Sequence, residues 1–441
     1  MRDYFYSLAD DLAGRCTGPE VLLLGFSGED SDFVRFNRSL VRQGGAVRQQ
    51  YLSLELIDGD RHAKEIFTLC GEKTADLAKA EAVLASLREQ LPATPADPFL
   101  LYAAEVHSTE QIGENCLAPT EDCLAAVLKA GEGKDLVGLF AQGGVYAGFA
   151  NSLGQRNWFS SHSFHLEWCF FAKNAHNDKA VKTSYAGFEW SPEAFARKVA
   201  DATEQLAILA RPPKTIDPGA YRVYLAPTAL AEFVGLLGWG GFSLKSHRTK
   251  TTPLLRMIES GATLHESVHL AENTREGLAP NFTSAGFIKP GRVELIRAGR
   301  YGECLISPRS AKEFNQPVNA GMEVPTSLDL AAGELSDEKI LSTLSEGVYA
   351  NQLWYLNYSD MPAGRITGMT RFGTFWVEGG KIVAPLNVMR FDETVYNALG
   401  TNLVALSHRR DFLPSSETYD QRSVHSSRMP GAVIRDFRFT L

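Results

Sequence analysis

The sequence lacks the features that would direct a chain to a membrane, a secretory route or nucleic acid. It has no uninterrupted apolar run of the roughly 20 residues that a membrane-spanning helix needs. Its first residues, MRDYFYSLADDLAGR, are polar and acidic where a secretory signal would be basic and then apolar. It also has no long basic run, and its formal net charge is −8, which argues against a nucleic-acid binder. We therefore expect a cytoplasmic protein without a membrane anchor.

Cysteine is scarce as well. Six cysteines are scattered over 441 residues, and no two of them form a CxxC pair. The closest pair in the sequence is Cys116 and Cys123. Thiols spread in this way are typical of reduced cysteines in a cytoplasmic protein, so we expect no disulfides.

Helical patterns punctuate the first half of the chain. Apolar residues at a four-residue spacing predict a helix over 1–15, and Ala, Leu, Glu and Lys dominate a second helix over 73–91. A third helix is predicted over 116–131. A fourth covers 191–210, where Ser191 is a suitable N-cap.

Strand patterns fill the space between these helices. Runs of β-branched and aromatic residues predict antiparallel strands, with turns near 44–45, 58–59, 151–154 and 174–178. The proline-rich stretch RPPKTIDPGAY then interrupts the pattern. We place the domain boundary within it, which gives a first domain of residues 1–214 and a second, strand-rich domain of residues 215–441.

One motif could carry metal chemistry. The segment ATLHESVHLAEN contains HExxH, the pattern of a zinc-peptidase helix, in His265, Glu266 and His269. On a helix, residues four apart share a face, so both imidazoles could bind one ion while the glutamate activates the bound water. A strand fits the segment about equally well, since Leu264 and Val268 would then share one face.

The third ligand that a zinc peptidase needs has no clear source near this motif. No histidine follows at the spacing that a second zinc-peptidase signature requires, and the nearby carboxylates are Glu272, Glu276 and Glu294. From the residues alone, a zinc site and a coincidental pattern both remain open.

The C-terminal half resembles a known family. GRITGMTRFGTFWVEGGKIVAPLNVMRFDETVYNAL, residues 364–399, is similar to the signature region of the TldD/PmbA family, once called modulators of DNA gyrase. SEGVYANQLWY at 345–355 and MPGAVIRDFRFTL at 429–441 resemble the flanking family segments. Residues 32–43 and 184–209 resemble its N-terminal domain, so the resemblance covers nearly the whole chain.

The family that the chain resembles has two branches. TldD-like members are metallopeptidases with HExxxH on a helix of the C-terminal domain and a thiolate ligand close to the C-terminus, whereas TldE-like (PmbA-like) members lack these ligands and pair with the active subunit. The matching helix here, 228–239, contains Glu232 but no histidine or cysteine, and the last cysteine is Cys304. The resemblance therefore implies a TldE-like chain without its own cofactor, with zinc in a TldD-like partner.

The same resemblance implies a fold and a site. We expect an α+β protein of two domains, the first of sheet and helices and the second closing on itself as a barrel or sandwich. On this alignment the HESVH segment is a strand, which would hold His265 and His269 about 13 Å apart. Extended or unfolded peptides would add a strand beside 374–384, with Trp354, Phe375 and Trp376 as candidate contacts, although core packing is the better expectation for at least two of these.

The resemblance thus predicts a non-catalytic, cytoplasmic subunit of a TldD/TldE-type zinc metallopeptidase, acting in a homodimer or heterodimer on unfolded peptides. Two alternatives stay open. One is an active metallopeptidase that uses His265, Glu266 and His269. The other is a regulator of DNA gyrase or topology without peptidase activity, which the acidic balance of the chain disfavours.

Overall fold

The computed structural model describes residues 1–172 and 179–440. The turn predicted near 174–178 lies outside the described residues. Within them, no helix is long and apolar enough to cross a membrane.

The described part of the chain forms helices at or near each position that the sequence pattern predicts. The α-helices are α1 (Arg2–Ala13), α2 (Lys73–Gln90), α3 (Thr120–Gly131), α4 (Pro192–Leu209), α5 (Pro227–Gly235), α6 (Leu244–Arg248), α7 (Leu255–Glu259), α8 (Pro308–Phe314) and α9 (Ile340–Leu344). Short 3-10 helices lie at Leu91–Ala93, Leu236–Gly238, Thr274–Glu276 and Asp337–Lys339, and a π-helix lies at Asn397–Thr401.

The strands form two sheets. The first sheet contains β1 (Val21–Asn37), β2 (Leu40–Asp58), β3 (Arg61–Thr68), β4 (Thr109–Ile112), β5 (Asp135–Asn151), β6 (Arg156–Phe171) and β7 (Ala180–Gly187). The second contains β8 (Gly219–Leu225), β9 (Leu270–Glu272), β10 (Val293–Arg297), β11 (Arg300–Tyr301), β12 (Ser327–Leu330), β13 (Gly347–Asp360), β14 (Arg365–Glu378), β15 (Lys381–Pro385), β16 (Arg390–Thr394), β17 (Leu403–Pro414) and β18 (Ser426–Phe439).

The first sheet has the strand order β3-β2-β1-β5-β6-β4, and β7 pairs with β6. The turns predicted at 58–59 and 151–154 are confirmed, but the one predicted at 44–45 is wrong. There β2 continues straight, because Gly44 and Gly45 pair with Val34 and Phe33 of β1. The chain instead reverses at Arg38 and Ser39, whose positive φ angles of 53° and 58° form the tight turn of a long hairpin.

The second sheet closes on itself, so of the two predicted forms, barrel or sandwich, the described strands form a barrel. β8, β13, β14, β16 and β18 pair in succession, and β18 pairs back to β8. Helix α5 packs across β13 and β18, where the Phe233 and Phe437 rings lie 6.2 Å apart. We call these five strands the ring.

The two halves share buried contacts. Phe375 of β14 is fully buried in a cluster with aromatic residues of the first half, including Phe164, Trp168 and Phe195. The second half also contributes Arg422, from the loop between β17 and β18. Arg422 is buried against the first sheet, where it is 6% exposed. Burying aromatic rings and a guanidinium between the halves joins them far more tightly than a flexible linker would.

Candidate functional site

A cleft lies between the two halves. Two cavities of about 330 Å³ and about 500 Å³ have Thr183 and Ser184 of β7 and Thr228 of α5 in common, so they adjoin one another. We call the two together the interdomain cleft. Its walls come from β6, β7 and α4 on one side and from α5, β13 and β17 on the other.

Two edge strands border this cleft. Within the described residues β7 pairs with β6 alone, and β17 pairs with β18 apart from one bridge between Ser407 and Leu335. Thr183 and Ser184 of β7 and Asp411 of β17 line the cavities. An edge strand offers unpaired N–H and C=O groups, to which an extended peptide can add as a further strand.

Helix α5 presents its polar face to the cleft. Pro227 begins the helix, and its apolar residues, including Leu230 and Phe233, are buried in the second half. Thr228 and Glu232, four residues apart, lie on one face and line the cleft. The Thr228 hydroxyl donates to the Asn351 carbonyl oxygen at 2.7 Å. Burial raises the pKa of Glu232, and Lys182 acts in the opposite sense.

The first sheet contributes charged and titratable groups to the same cleft. Lys182 of β7 forms an ion pair with Glu167 of β6. His165 is 5% exposed, and its Nε2 has no hydrogen-bond partner in the described structure. Burial and the nearby Arg422 guanidinium lower the pKa of His165 to about 4. His165 is therefore a neutral imidazole near pH 7, beside a mixed array of charges.

These groups do not fit a zinc ion. Helix α5 offers Glu232 as its single carboxylate, and the described residues contain no group of three or more His, Cys, Asp or Glu side chains that could hold a metal. A catalytic zinc site needs three protein ligands. The arrangement presents Glu167, Lys182 and Glu232 to the cleft, but it does not supply a zinc ligand set.

The HESVH segment is neither a helix nor a strand, so the predicted strand is wrong. His265–Val268 forms a tight turn in which the Val268 N–H donates to the His265 carbonyl oxygen at 2.9 Å. Strand β9 begins only at Leu270. Gly299 causes this path: its φ is +70°, and a Cβ there would lie 2.2 Å from the Leu264 oxygen.

Both histidines of the segment use Nδ1 in hydrogen bonds within the protein. His265 Nδ1 lies 2.8 Å from the Ser267 hydroxyl, and His269 Nδ1 accepts from the Ala298 N–H at 3.3 Å. Glu266 is exposed at the turn. The lining of the interdomain cleft, as far as the chain is described, includes none of the three.

The three aromatic candidates divide between surface and core. Phe375 and Trp376 are 0% and 5% exposed, so both are packing residues, whereas Trp354 is 41% exposed. The Trp354 ring lies 6.2 Å from that of Phe372, which in turn lies 5.7 Å from the Nζ of cleft-lining Lys182. Of the three, Trp354 is therefore the one placed near the mouth of the cleft.

The backbone is strained at Phe372 and at Tyr355, the residue that follows Trp354. Tyr355 and Phe372 have φ angles of 56° and 58°, and the register between β13 and β14 shifts next to both. A left-handed φ is uncommon for a bulky residue and is stabilised only by its surroundings. Tyr355 is 82% exposed, so the bulges display aromatic side chains rather than bury them.

The groove predicted beside 374–384 is not open. Strand β14 has β13 on one side and β15 on the other, and the segment between α4 and β8 covers the outer edge of β15. The Lys214 N–H donates to the Pro385 oxygen at 2.8 Å, and Arg211 donates to the Val383 oxygen at 3.0 Å. The edges that border the interdomain cleft belong to β7 and β17, which sequence reasoning did not single out.

Sequence reasoning also missed His165, Glu167 and Lys182 as members of one site. Their only local signal is an isolated charge within a strand of mixed polar and apolar residues, since Glu167 and Lys182 interrupt β6 and β7. Such interruptions are typical of a strand with one polar face, and nothing in the sequence pairs them with Glu232 of α5.

Comparison with known proteins identifies the class to which this fold and site belong. Residues 218–441, about half of the chain, match the model of the PmbA/TldA metallopeptidase C-terminal domain. The chain therefore belongs to the TldD/PmbA family. No curated protein sequence matches it.

Solved structures share the fold over the full length. A candidate modulator of a DNA gyrase from Thermotoga maritima is 14% identical, covers all of both chains and has a TM-score of 0.76. TldE from Thermococcus kodakarensis is 13% identical, covers 99% of this chain and 100% of its own, and has a TM-score of 0.78. A further candidate modulator of DNA gyrase, from Bacteroides thetaiotaomicron, is 16% identical, covers 99% of each chain and has a TM-score of 0.73.

Proposed function

We propose that this chain is a non-catalytic, TldE-like subunit that works with a TldD-like zinc peptidase in the cytoplasm and holds unfolded peptides in the interdomain cleft. The observation that carries this proposal is the composition of the cleft. Helix α5 faces it with Glu232 and without an imidazole or thiol. Strand β7, which pairs with β6 alone among the described strands, borders it, and its Lys182 carbonyl oxygen accepts from the Asn351 side chain.

The cleft suits an extended polypeptide better than a compact ligand. Its two cavities adjoin along β7, so a bound chain could pair its backbone with that edge over several residues. Backbone pairing tolerates many sequences, which is what a subunit handling unfolded chains requires. The charged groups Lys182, Lys198 and Asp411 would contact side chains of either sign.

Co-expression with a TldD-like chain that carries HExxxH tests the partnership. We expect the two chains to co-purify with one zinc ion per pair, and this chain alone to hold less than a tenth of an equivalent. The pair should cleave a fluorogenic unfolded polypeptide. Replacing the partner's HExxxH glutamate by glutamine should abolish cleavage, whereas Glu232→Gln in this chain should leave zinc content unchanged.

The active-peptidase alternative makes the opposite prediction. It requires stoichiometric zinc in this chain alone, lost on His269→Ala and retained on the matched replacement His107→Ala. That result, together with cleavage by the isolated chain, would overturn the proposal.

A further inference from the structure

The hairpin of β1 and β2 has an open backbone edge on the β2 side of its far half. Strand β3 pairs with β2 only from Tyr51 onward, and the Leu69 N–H donates to the Gln50 carbonyl oxygen at 2.9 Å. Before that point β2 has β1 on one side and, among the described residues, no strand on the other. Residues 43–49 pair with β1 in unbroken register, so their other edge presents a regular row of unpaired N–H and C=O groups.

Most of this edge is uncovered in the described structure. Residues 40–46 and Arg48 are exposed. A Cβ added at Gly44 or Gly45 would meet no other described group within 4 Å. Glycine in a strand interior weakens the strand and often marks a close approach by another backbone. The edge is therefore accessible to a second chain, and it is least obstructed at the two glycines.

The same hairpin concentrates positive charge. Residues 33–54, which we call the basic hairpin, contain no aspartate or glutamate, although the chain has a formal net charge of −8. They contain four exposed arginines, which are Arg35, Arg38, Arg42 and Arg48. Arg48 forms an ion pair with Asp30 at 3.0 Å, and the other three form none with a described residue. Like charges on one hairpin repel one another, and an anionic partner would relieve that repulsion.

Charges on an edge strand often serve to keep copies of a protein apart. The four arginines would do this here, because a second copy would bring the same positive charges against the edge. They would not exclude a strand that carries carboxylates. Residues 40–49 also contain no proline, which would block pairing because it cannot donate to a neighbouring strand. The basic hairpin therefore disfavours pairing with itself and stays open to an anionic strand.

We propose that the open edge of residues 43–49 binds an extended, acidic segment of another polypeptide as an additional strand. Backbone hydrogen bonds to β2 hold the segment, and the arginines select its carboxylates. Segments rich in Asp and Glu stay unfolded in solution, so they are free to extend along β2. No residue of the basic hairpin lines the interdomain cleft, and the proposal does not depend on a peptidase partner.

A polypeptide fits this surface better than a nucleic acid does. Phosphates would contact the arginines but would leave the row of N–H and C=O groups unpaired, whereas a strand uses both. Leu40 and Val41, which are exposed beside the turn of the hairpin, also offer apolar contacts to the side chains of a strand.

Fluorescence anisotropy with the full chain tests the proposal. The probe is a labelled peptide of about ten residues that alternates glutamate and threonine, a length that spans the edge. We expect it to bind at least about tenfold more tightly than the same peptide with lysine for glutamate, because the charges then repel. It should also bind at least about tenfold more tightly than the glutamate peptide methylated at alternate backbone nitrogens, which cannot pair as a strand.

One variant and one matched control locate the site. The double replacement Arg35→Gln with Arg42→Gln should weaken binding of the glutamate peptide about tenfold or more. Arg297→Gln with Arg300→Gln removes two exposed arginines that pair across another hairpin, and it should bind as the native chain does. Circular dichroism melts establish that both variants are folded.

Four results would each overturn the proposal. These are no binding of the glutamate peptide, equal binding of the methylated peptide, and equal loss in the two double variants. The fourth is tighter binding of a single-stranded oligonucleotide of equal charge, which would assign the arginines to nucleic acid. Analytical ultracentrifugation should show no self-association that the Arg35 and Arg42 replacements change, since such an effect would assign the edge to a second copy instead.

Discussion

Arg422 shows how much one residue can contribute to holding the halves together. Its guanidinium donates to the Gly143 carbonyl oxygen at 3.1 Å and to the Ser163 oxygen and hydroxyl at 3.0 and 2.8 Å. Its backbone N–H donates to Glu29 at 3.2 Å. Burial lowers the pKa of Arg422 to about 10, so it remains charged at pH 7.

We expect Arg422→Ala to lower the free energy of unfolding by about 3 kcal/mol, because it leaves the Gly143 and Ser163 carbonyl oxygens without their guanidinium donor and removes the positive charge near Glu29. Urea unfolding measures this. Arg42→Ala, which removes the same side chain from an exposed position of β2, should change stability by less than about 0.5 kcal/mol. Equal effects of the two replacements would contradict this role.

His165 makes the stability of the folded chain depend on pH. Its folded pKa of about 4 lies below the ordinary value of about 6.5. Between these two pH values the His165 imidazole is protonated in the unfolded chain and neutral in the folded chain. Stability is therefore lost as pH falls from about 6.5 to about 4, by about 3 kcal/mol in total. Across that range the free energy of unfolding should depend less on pH in His165→Asn than in the native chain. His162→Asn, three residues earlier in β6, should keep the native slope.

At the scale of elements, the HESVH turn depends on a glycine far along the chain. Gly299 and Gly133 have the same φ of +70°, but only at Gly299 would a Cβ collide, at 2.2 Å from the Leu264 oxygen. Gly133 has open space around it. The pair therefore separates backbone strain from steric collision.

We expect Gly133→Ala to lower the free energy of unfolding by about 1 kcal/mol, because alanine is less stable than glycine in the left-handed conformation. Gly299→Ala should cost about 3 kcal/mol or more, since the turn must also move away from β10. Chemical denaturation provides both values. Similar losses at the two sites would mean that the turn does not depend on this close approach.

The edge of β7 and the aromatic pair near it should govern peptide binding. We expect Trp354→Ala to weaken binding of a labelled unfolded peptide about tenfold in fluorescence anisotropy, since a half-exposed tryptophan at a binding site commonly contributes more than 1 kcal/mol. Tyr419→Ala, which removes an aromatic ring that is 91% exposed, is the control. A peptide methylated at alternate backbone nitrogens should bind poorly to the native chain, because it cannot pair with β7.

The elements differ in how far the sequence alone defines them. Helix α4 is predictable because its signals are local: Ser191 precedes Pro192, and its hydroxyl accepts from the Ala194 N–H at 3.2 Å. The HESVH turn is not predictable, because its partners Leu399 and Gly299 are distant in sequence. The cleft is harder still, since β6, β7 and α5 each supply one charged residue and only the fold brings them together.

At the scale of the whole molecule, Phe375 packs the second half against the first, and we expect this contact to make the two halves one unfolding unit. We expect fluorescence and far-ultraviolet circular dichroism to report a single, coincident transition in urea. Phe375→Ala should cost about 3 to 5 kcal/mol and split that transition, because it removes the ring that β14 buries among residues of the first half.

Phe391→Ala is the matched control for this split. Phe391 is equally buried, but it belongs to the core of the second half. Its replacement should lower the midpoint while leaving the two probes coincident. Separate transitions already present in the native chain would show that the halves unfold independently.

The ring also has a consequence for biosynthesis. Strand β18 pairs with β8, β12, β16 and β17, and all of these leave the ribosome before it does. About 200 residues separate β8 from β18. At about 5 to 20 residues per second, β18 is therefore synthesised at least about 10 s after β8. During that interval the edge of β8 that β18 later covers is unpaired, and we expect the nascent chain to be most prone to aggregation then.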